Sequence, residues 1–348
     1  MNRAATVALA PIGGIYGIFV KARNACYRRG ILRTKQIGVP VISIGNLTSG
    51  GTGKTPLVEW TARELASLGR KVCILTRGYG RNNPGRQVIA SNGKEILADA
   101  AQTGDEAFML AERLRGQAAV ICNADRVSAA AWAINNLGSE VFVLDDAFQH
   151  QQVARDLNIL AVDATNPWGN RRSLPAGILR EPIKEVSRAD CVIITRADLE
   201  DSRGSRDEIE KFHPGVPVLL SRMRHTQLRE VATNFPLTDS EEIKALPIGA
   251  FCGIGNPESF FQLLQREEYS LTYQCSFRDH HNFTQADVDL IVREAQSKGA
   301  RALLTTAKDA AKLRSLKFDL PCYAAEIEVE IEHAEVLREL ILRTIGQP

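Results

Sequence analysis

A single loop restricts this 348-residue chain more than any other feature. The segment GNLTSGGTGKTP, residues 45–56, follows an apolar run, VPVISIGN. It opens a stretch with helical periodicity in which Leu57, Thr61, Leu65 and Leu68 share a face before Gly69. A strand that ends in a glycine-rich turn and feeds a helix is the context in which main-chain N–H groups converge on phosphate. Gly50, Gly51 and Gly53 let the backbone turn those groups inward, with Ser49 and Thr52 between and beside them. Lys54 is placed to reach the β- and γ-phosphates of a nucleotide, and the Thr55 hydroxyl to ligate Mg²⁺. The strict pattern G-x-x-x-x-G-K-[ST] puts glycine at 48, where Thr48 stands. Strand, glycines, Lys-Thr and helix agree in spite of that departure.

The rest of the chain repeats the same alternation. KVCILTRG, AAVICN, EVFVLDD, LNILAVD, DCVIITR and VPVLLSR read as strands, with helices expected near 103–115 and 125–137. Strands that are apolar throughout and separated by helices imply a mostly parallel sheet covered on both faces. The expected fold class is therefore α/β, a P-loop NTPase-like sheet covered by helices, with a second, smaller α/β domain. Residues 1–38 read as an N-terminal helical segment, 39–230 as the phosphate-loop domain and 231–348 as the smaller domain. The polar text at 225–245 is the expected linker.

Charge is distributed unevenly. Eight Lys and Arg and no acid precede Glu59, which leaves 35 bases against 41 acids in the remainder. Ala4–Val20 is an uncharged stretch followed by KARNACYRRGILRTK. It is short for a spanning helix, is weakened by Pro11, Gly13 and Gly14, and lacks a clean signal-peptidase site. Leu9, Ile12, Tyr16 and Phe19 recur at helical spacing, so an interfacial helix on an anionic membrane is one reading. A helix packed on the protein's own core is the other. Seven cysteines without a CxxC pair fit a reducing compartment and no zinc ribbon. The 44% hydrophobic, 24% charged composition excludes a disordered or fibrous chain, and no apolar run reaches the length of a membrane span.

A phosphate loop needs a metal-side acid at the end of a neighbouring strand. VFVLDD supplies Asp145 and Asp146, one for Mg²⁺ and the other to orient water or a substrate group. His150 follows in DDAFQH, equally readable as a loop histidine or a site residue. Asp105 in TGDEAF is a candidate base, although Thr103 and Glu106 have capping-box spacing and an acid suits a helix start. Arg77 and Arg81 in TRGYGR could clamp phosphate or lie solvated. Asp279 beside His280 forms a plausible acid/base pair. Lys308 in TTAKDAAKL could serve phosphate or cap a strand end. TRAD at 195–198 loosely matches a guanine-reading motif, with Arg196 in place of Lys.

Taken together, GNLTSGGTGKTP, LTRGYGR, TGDEAF, ADRVSAA, LDDAFQHQQVARDL, GNRRSLPAGILREP, GIGNPESFF, FRDHHNFT and TAKDAAKL resemble, in order, the tetraacyldisaccharide 4'-kinase (lipid A 4'-kinase) family. The resemblance implies an ATP- and Mg²⁺-dependent enzyme at the cytoplasmic face of a bacterial inner membrane. Its substrate would be a lipid-linked disaccharide 1-phosphate, phosphorylated on the 4'-hydroxyl. It implies nucleotide binding by residues 49–55, with Thr55 and Asp145 on the metal and Asp146 beside them. Asp105 would act on the acceptor hydroxyl with His280 as partner, and Arg77, Arg81, His150 and Arg171 would face the substrate. Base and partner on different domains lead us to expect domain closure. Ala147 stands where glycine is usual, and Ala307 where glutamate commonly precedes Lys-Asp. A monomer without nucleic-acid partners is expected. The rivals are a GTPase-type switch or chaperone of the same loop class, and a non-catalytic membrane-associated ATP-binding protein.

Overall fold

The computed structural model describes residues 3–237 and 240–346, residues 3–8 as backbone only. The chain forms two compact units. One holds the residues up to Arg222 together with those from Ile331 onward, and the other is Met223–Glu330.

In chain order the first unit contains α1 (Arg3–Arg28), β1 (Val41–Gly45), α2 (Lys54–Ser67), β2 (Val72–Thr76), β3 (Val88–Asn92), α3 (Ala100–Thr103), α4 (Asp105–Arg113), β4 (Ala118–Cys122), α5 (Arg126–Leu137), β5 (Val141–Asp145), β6 (Leu157–Asp163), β7 (Cys191–Thr195), α6 (Arg203–Phe212) and the first residues of β8 (Val218–Glu230), which continues into the second unit. Its sheet order is β8-β7-β6-β1-β5-β2-β4-β3, parallel except for β3 against β4. β1, β2, β4, β5, β6 and β7 are buried along their whole length, which is why they read as unbroken apolar runs. Cys73, Leu75, Ile121, Phe142 and Leu144 meet α5 through Ala129, Ala130 and Ala133 in one core layer. Leu160, Val162, Val192 and Ile194 enter the other with Phe148 and Trp168. α2 buries Leu57, Thr61 and Leu65 as its periodicity predicts. Leu68 falls outside that face: the helix stops at Ser67 and Leu68 is exposed as its C-cap.

The second unit contains α7 (Glu241–Lys244), β9 (Pro247–Cys252), α8 (Pro257–Arg266), β10 (Ser270–Ser276), α9 (Gln285–Ser297), β11 (Ala302–Thr306), α10 (Ala307–Leu313) and β12 (Cys322–Ile331). Its parallel order is β10-β9-β11-β12.

The helix expected near 103–115 is α4, preceded by the short α3, from which Gly104 at φ 86 separates it. Two local expectations are corrected. The capping box belongs to Asp99 and Gln102, with Gln102 N donating to Asp99 Oδ1 at 2.9 Å, and not to Thr103 and Glu106. The polar text from 225 is not a free linker. β8 runs through it to Glu230, burying Ser221, Met223 and Leu228 while Arg222, Arg224 and Thr226 face solvent. A half-buried strand alternates and so reads as polar. The units accordingly divide at 222/223, and the last helix, α11 (Ala334–Ile345), belongs to the first unit. It buries Leu337 and Ile341, and its Arg338 clamps Glu64 of α2 at 2.8 and 2.9 Å.

α1 packs on the protein's own core along one face and leaves apolar side chains exposed along the other. One face is anchored: fully buried Glu181 accepts from Arg23 (2.6 Å), Asn24 (3.1 Å) and Arg188, and Tyr16 Oη donates to the Arg180 carbonyl at 3.2 Å. The other face leaves Ile12, Ile15, Ile18 and Phe19 more than half exposed. Tyr16, expected in the apolar stripe, turns inward to that carbonyl, and Ile15 and Ile18 take its place. No described helix is long and apolar enough to cross a membrane.

Candidate active site

The loop after β1 lies where ligands bind in open parallel sheets, beyond the carboxyl ends of the strands. β1 ends on Gly45, where a Cβ would stand 2.5 Å from Phe148 N, so only glycine lets the segment after β5 come this close. The loop is held from several sides. Asn46 Nδ2 donates to Thr52 Oγ1 at 2.9 Å, and Thr195 Oγ1 at the end of β7 donates to the Thr52 carbonyl at 3.0 Å. Ser49 N donates to Ile178 O at 2.7 Å, Thr48 forms a bridge with Leu179, and Gln149 Nε2 donates to Asn46 O at 2.8 Å. Gly53, at φ 73, turns the chain into α2. These bonds fix the loop before any phosphate arrives, which is the preorganisation phosphate binding requires.

Asp145 ends β5, in register with Ile44 of β1. Its carboxylate is buried and accepts from Thr76 Oγ1 at 2.9 Å. Burial, then the charges of Glu106 and Asp146, push it up to about 6 against the pull of Lys54 and Thr76. Asp146 adopts a left-handed φ of 48. Lys54 Nζ stands 3.3 Å from its Oδ1, and Arg180 holds both its oxygens at 2.8 and 2.7 Å. Burial works to raise the Asp146 carboxyl, but Lys54 and Arg180 overcome it and hold it below the usual carboxylate range. Thr55 and Asp145 are hard oxygen donors of the kind Mg²⁺ takes alongside phosphate oxygens and water. A cation there would relieve the repulsion that raises Asp145.

Asp105 is the first residue of α4, behind Gly104, whose backbone lies against Tyr79 O so closely that a Cβ would collide. The TRGYGR turn and the start of α4 are thereby locked together. Glu106, next along, is close enough to act on Asp145 electrostatically. Arg77 exerts its charge on both His150 and Arg126. Arg81 is buried, and its guanidinium donates to the carbonyls of Arg86 (2.8 Å), Cys122 (2.9 Å) and Pro84 (2.6 Å). It ties the loop down in this conformation. His150 is lowered to about 4 by burial and by Arg126, Arg155 and Arg77, and is neutral near pH 7. Arg171 pairs with Glu208.

In the second unit His280 sits at φ 61, with Lys308 Nζ 3.4 Å from its Nε2 and 3.0 Å from Asp279 Oδ1. Lys308 thus serves the Asp279-His280 pair. Three residues near the loop escaped the sequence reading. Arg180 and Arg126 stand inside motifs that were recognised, but nothing in their spacing says that one grips Asp146 and the other lies buried within the field of Asp145. Glu106 carries only cap spacing in the sequence, which says nothing of its charge acting on Asp145.

Fold and loop define an α/β nucleotide-binding protein of the P-loop class. A family model described as tetraacyldisaccharide-1-P 4'-kinase matches residues 5–346. Tetraacyldisaccharide 4'-kinase of Desulfotalea psychrophila is 38% identical over 339 residues, 96% of this chain and 95% of that one. That of Geobacter sulfurreducens is 39% identical over 325 residues, covering 92% and 88%. Among solved structures, LpxK from Aquifex aeolicus in complex with ATP superposes with a TM-score of 0.79 at 31% identity, covering 98% of this chain and 99% of that one. The chain belongs to the tetraacyldisaccharide 4'-kinase family.

Proposed function

We propose that this protein transfers the γ-phosphate of ATP to the 4'-hydroxyl of a tetraacyldisaccharide 1-phosphate. The observation that carries the reading is the juxtaposition of Lys54, Asp145 and Asp146 at a braced phosphate loop in a chain of this family. The main-chain amides of residues 49–55 and Lys54 bind the β- and γ-phosphates, Lys54 exchanging its Asp146 partner for phosphate. Thr55 and Asp145 would hold Mg²⁺, which would supply positive charge against the phosphates when bound. Asp146, kept ionised by Arg180, orients the groups around it. Asp105 accepts the proton of the attacking hydroxyl. His280, on the second unit, is the second acid/base candidate.

The exposed apolar face of α1 and the acid-free basic segment support peripheral attachment to an anionic membrane, which we infer to be the cytoplasmic face of a bacterial inner membrane. We expect a monomer without nucleic-acid partners. A guanine-reading role for TRAD is disfavoured because Arg196 is buried in an ion pair with Asp163.

Purified protein incubated with labelled ATP, Mg²⁺ and the lipid acceptor should place label on the lipid. Lys54→Ala and Asp105→Ala should each lower turnover at least about 10²-fold. Slow hydrolysis with no label on lipid would indicate the non-catalytic ATP-binding protein, and competition by GTP but not ATP the switch.

A further inference from the structure

The motif TTAKDAAKL holds a carboxylate that no step of the proposed transfer uses. Asp309, in the first turn of α10, has no exposure. Its Oδ2 accepts from Thr306 Oγ1 at 2.7 Å and from the main-chain N of Gly253, just past β9, at 2.8 Å. Its Oδ1 has no hydrogen-bond partner among the described residues. Burial raises the Asp309 carboxyl against the pull of those two bonds and of Lys312 and Lys308. A buried carboxyl that is only half satisfied costs stability, so packing alone does not account for it.

What Asp309 holds is the support of the Asp279-His280 turn. Gly253 O accepts from His280 N at 3.2 Å, and Arg278 O accepts from His281 N at 3.1 Å. A Cβ on Gly253 would stand 3.2 Å from Asp309 Oδ1, 3.3 Å from Arg278 O and 3.3 Å from His281 Cβ. The Gly253 peptide is thus wedged between the carboxylate and the turn. His280 has its φ of 61 there, a left-handed conformation that a residue with a Cβ keeps only where its surroundings impose it. The next side chain is tied down separately. The His281 ring stacks on Phe277 at 4.6 Å, and its Nε2 lies 3.2 Å from Asp287 Oδ2. Three residues of α10 converge on this one turn. Lys308 meets Asp279, Lys312 Nζ donates to the His281 carbonyl at 3.1 Å, and Asp309 reaches His280 through Gly253.

We propose that Asp309 is a positioning residue for phosphoryl transfer, fixing through the Gly253 peptide the backbone turn that presents His280. The proposal rests on the lipid-kinase reading above, with His280 as its second acid/base candidate. Such a residue acts on the rate and leaves nucleotide binding alone, because the phosphate loop belongs to the other unit.

The test follows label from ATP to the lipid in detergent micelles. It compares wild type with Asp309→Ala, Asp309→Asn, His280→Ala and the double variant Asp309→Ala/His280→Ala. Ile291→Ala, a core substitution in α9 of the same unit, is the control. His280→Ala and Asp309→Ala should each lower kcat at least about tenfold, with KM for ATP at the wild-type value. The double variant should be no slower than His280→Ala, since one residue acts through the other. Asp309→Asn, which keeps an acceptor for Gly253 N, should recover most of the loss. Ile291→Ala should lower the urea midpoint and leave kcat unmoved. If Asp309→Ala does not fold, Gly253→Ala carries the test. Its Cβ makes the turn yield with the carboxylate still in place, and kcat should fall at least about threefold. Wild-type kcat in a folded Asp309→Ala, or in Gly253→Ala, would overturn the proposal. So would losses that multiply in the double variant, the mark of a merely structural role. Failure of the underlying reading looks different, as His280→Ala with wild-type kcat or wild type placing no label on lipid, and takes this proposal with it.

Discussion

The buried carboxyl of Asp145 is ionised at neutral pH against its surroundings, and that has a consequence for stability. A carboxyl whose folded pKa lies above its unfolded value contributes stability that is complete below the unfolded pKa and lost as pH rises through the folded one. Here the window runs from the ordinary carboxylate range to about 6. At about pH 8 the charge costs the nucleotide-free protein roughly 1–3 kcal/mol. Asp145→Asn should therefore melt higher than wild type near pH 8, with the difference closing toward about pH 4, while transfer is lost. Calorimetric scans across that range check the sign, and a pH-independent difference would refute it. Arg180 makes the complementary case. Arg180→Met leaves Asp146 with Lys54 alone and should lower turnover at least about tenfold, read in steady-state kinetics beside a separate ATP titration. Lys54, Asp145 and Asp146 were legible in the sequence because their types and positions along strand and loop are dictated by phosphate. Arg180 was not, since its partner lies 34 positions away and is met only through the fold.

At the scale of elements, what matters is how α1 is attached. Glu181 has no exposure and gathers Arg23, Asn24 and Arg188 around one carboxylate. Removing a buried charge strands its partners, so Glu181→Ala should destabilise the protein by about 3–5 kcal/mol, seen as a lower urea midpoint. An unchanged midpoint would mean that α1 is held by apolar contacts alone. Helical spacing predicted that α1 is amphipathic but misplaced Tyr16, because a periodicity cannot say that a hydroxyl will find the Arg180 carbonyl. The Gly104 break between α3 and α4 was equally hidden. A glycine in a helical pattern is ambiguous until the backbone of Tyr79 is seen against it.

At the scale of the whole molecule, the C-terminal residues return to the first unit. α11 buries Leu337 completely beside its ion pair to α2. Leu337→Ala should cost about 2–5 kcal/mol, and the loss should appear in the unfolding of the unit that carries the phosphate loop. Nucleotide-protected melting reads that unit selectively. The sequence by itself determined the parallel α/β architecture, the phosphate loop and the paired acids beside it. Buried strands must be apolar throughout, and phosphate binding demands particular residues at short, local spacing. Only the tertiary structure decided that Arg180 holds Asp146, that Arg81 ties down its own loop, and that Asp309 holds the peptide of Gly253. Those facts depend on which distant side chains meet, and the chain's local patterns carry no record of them.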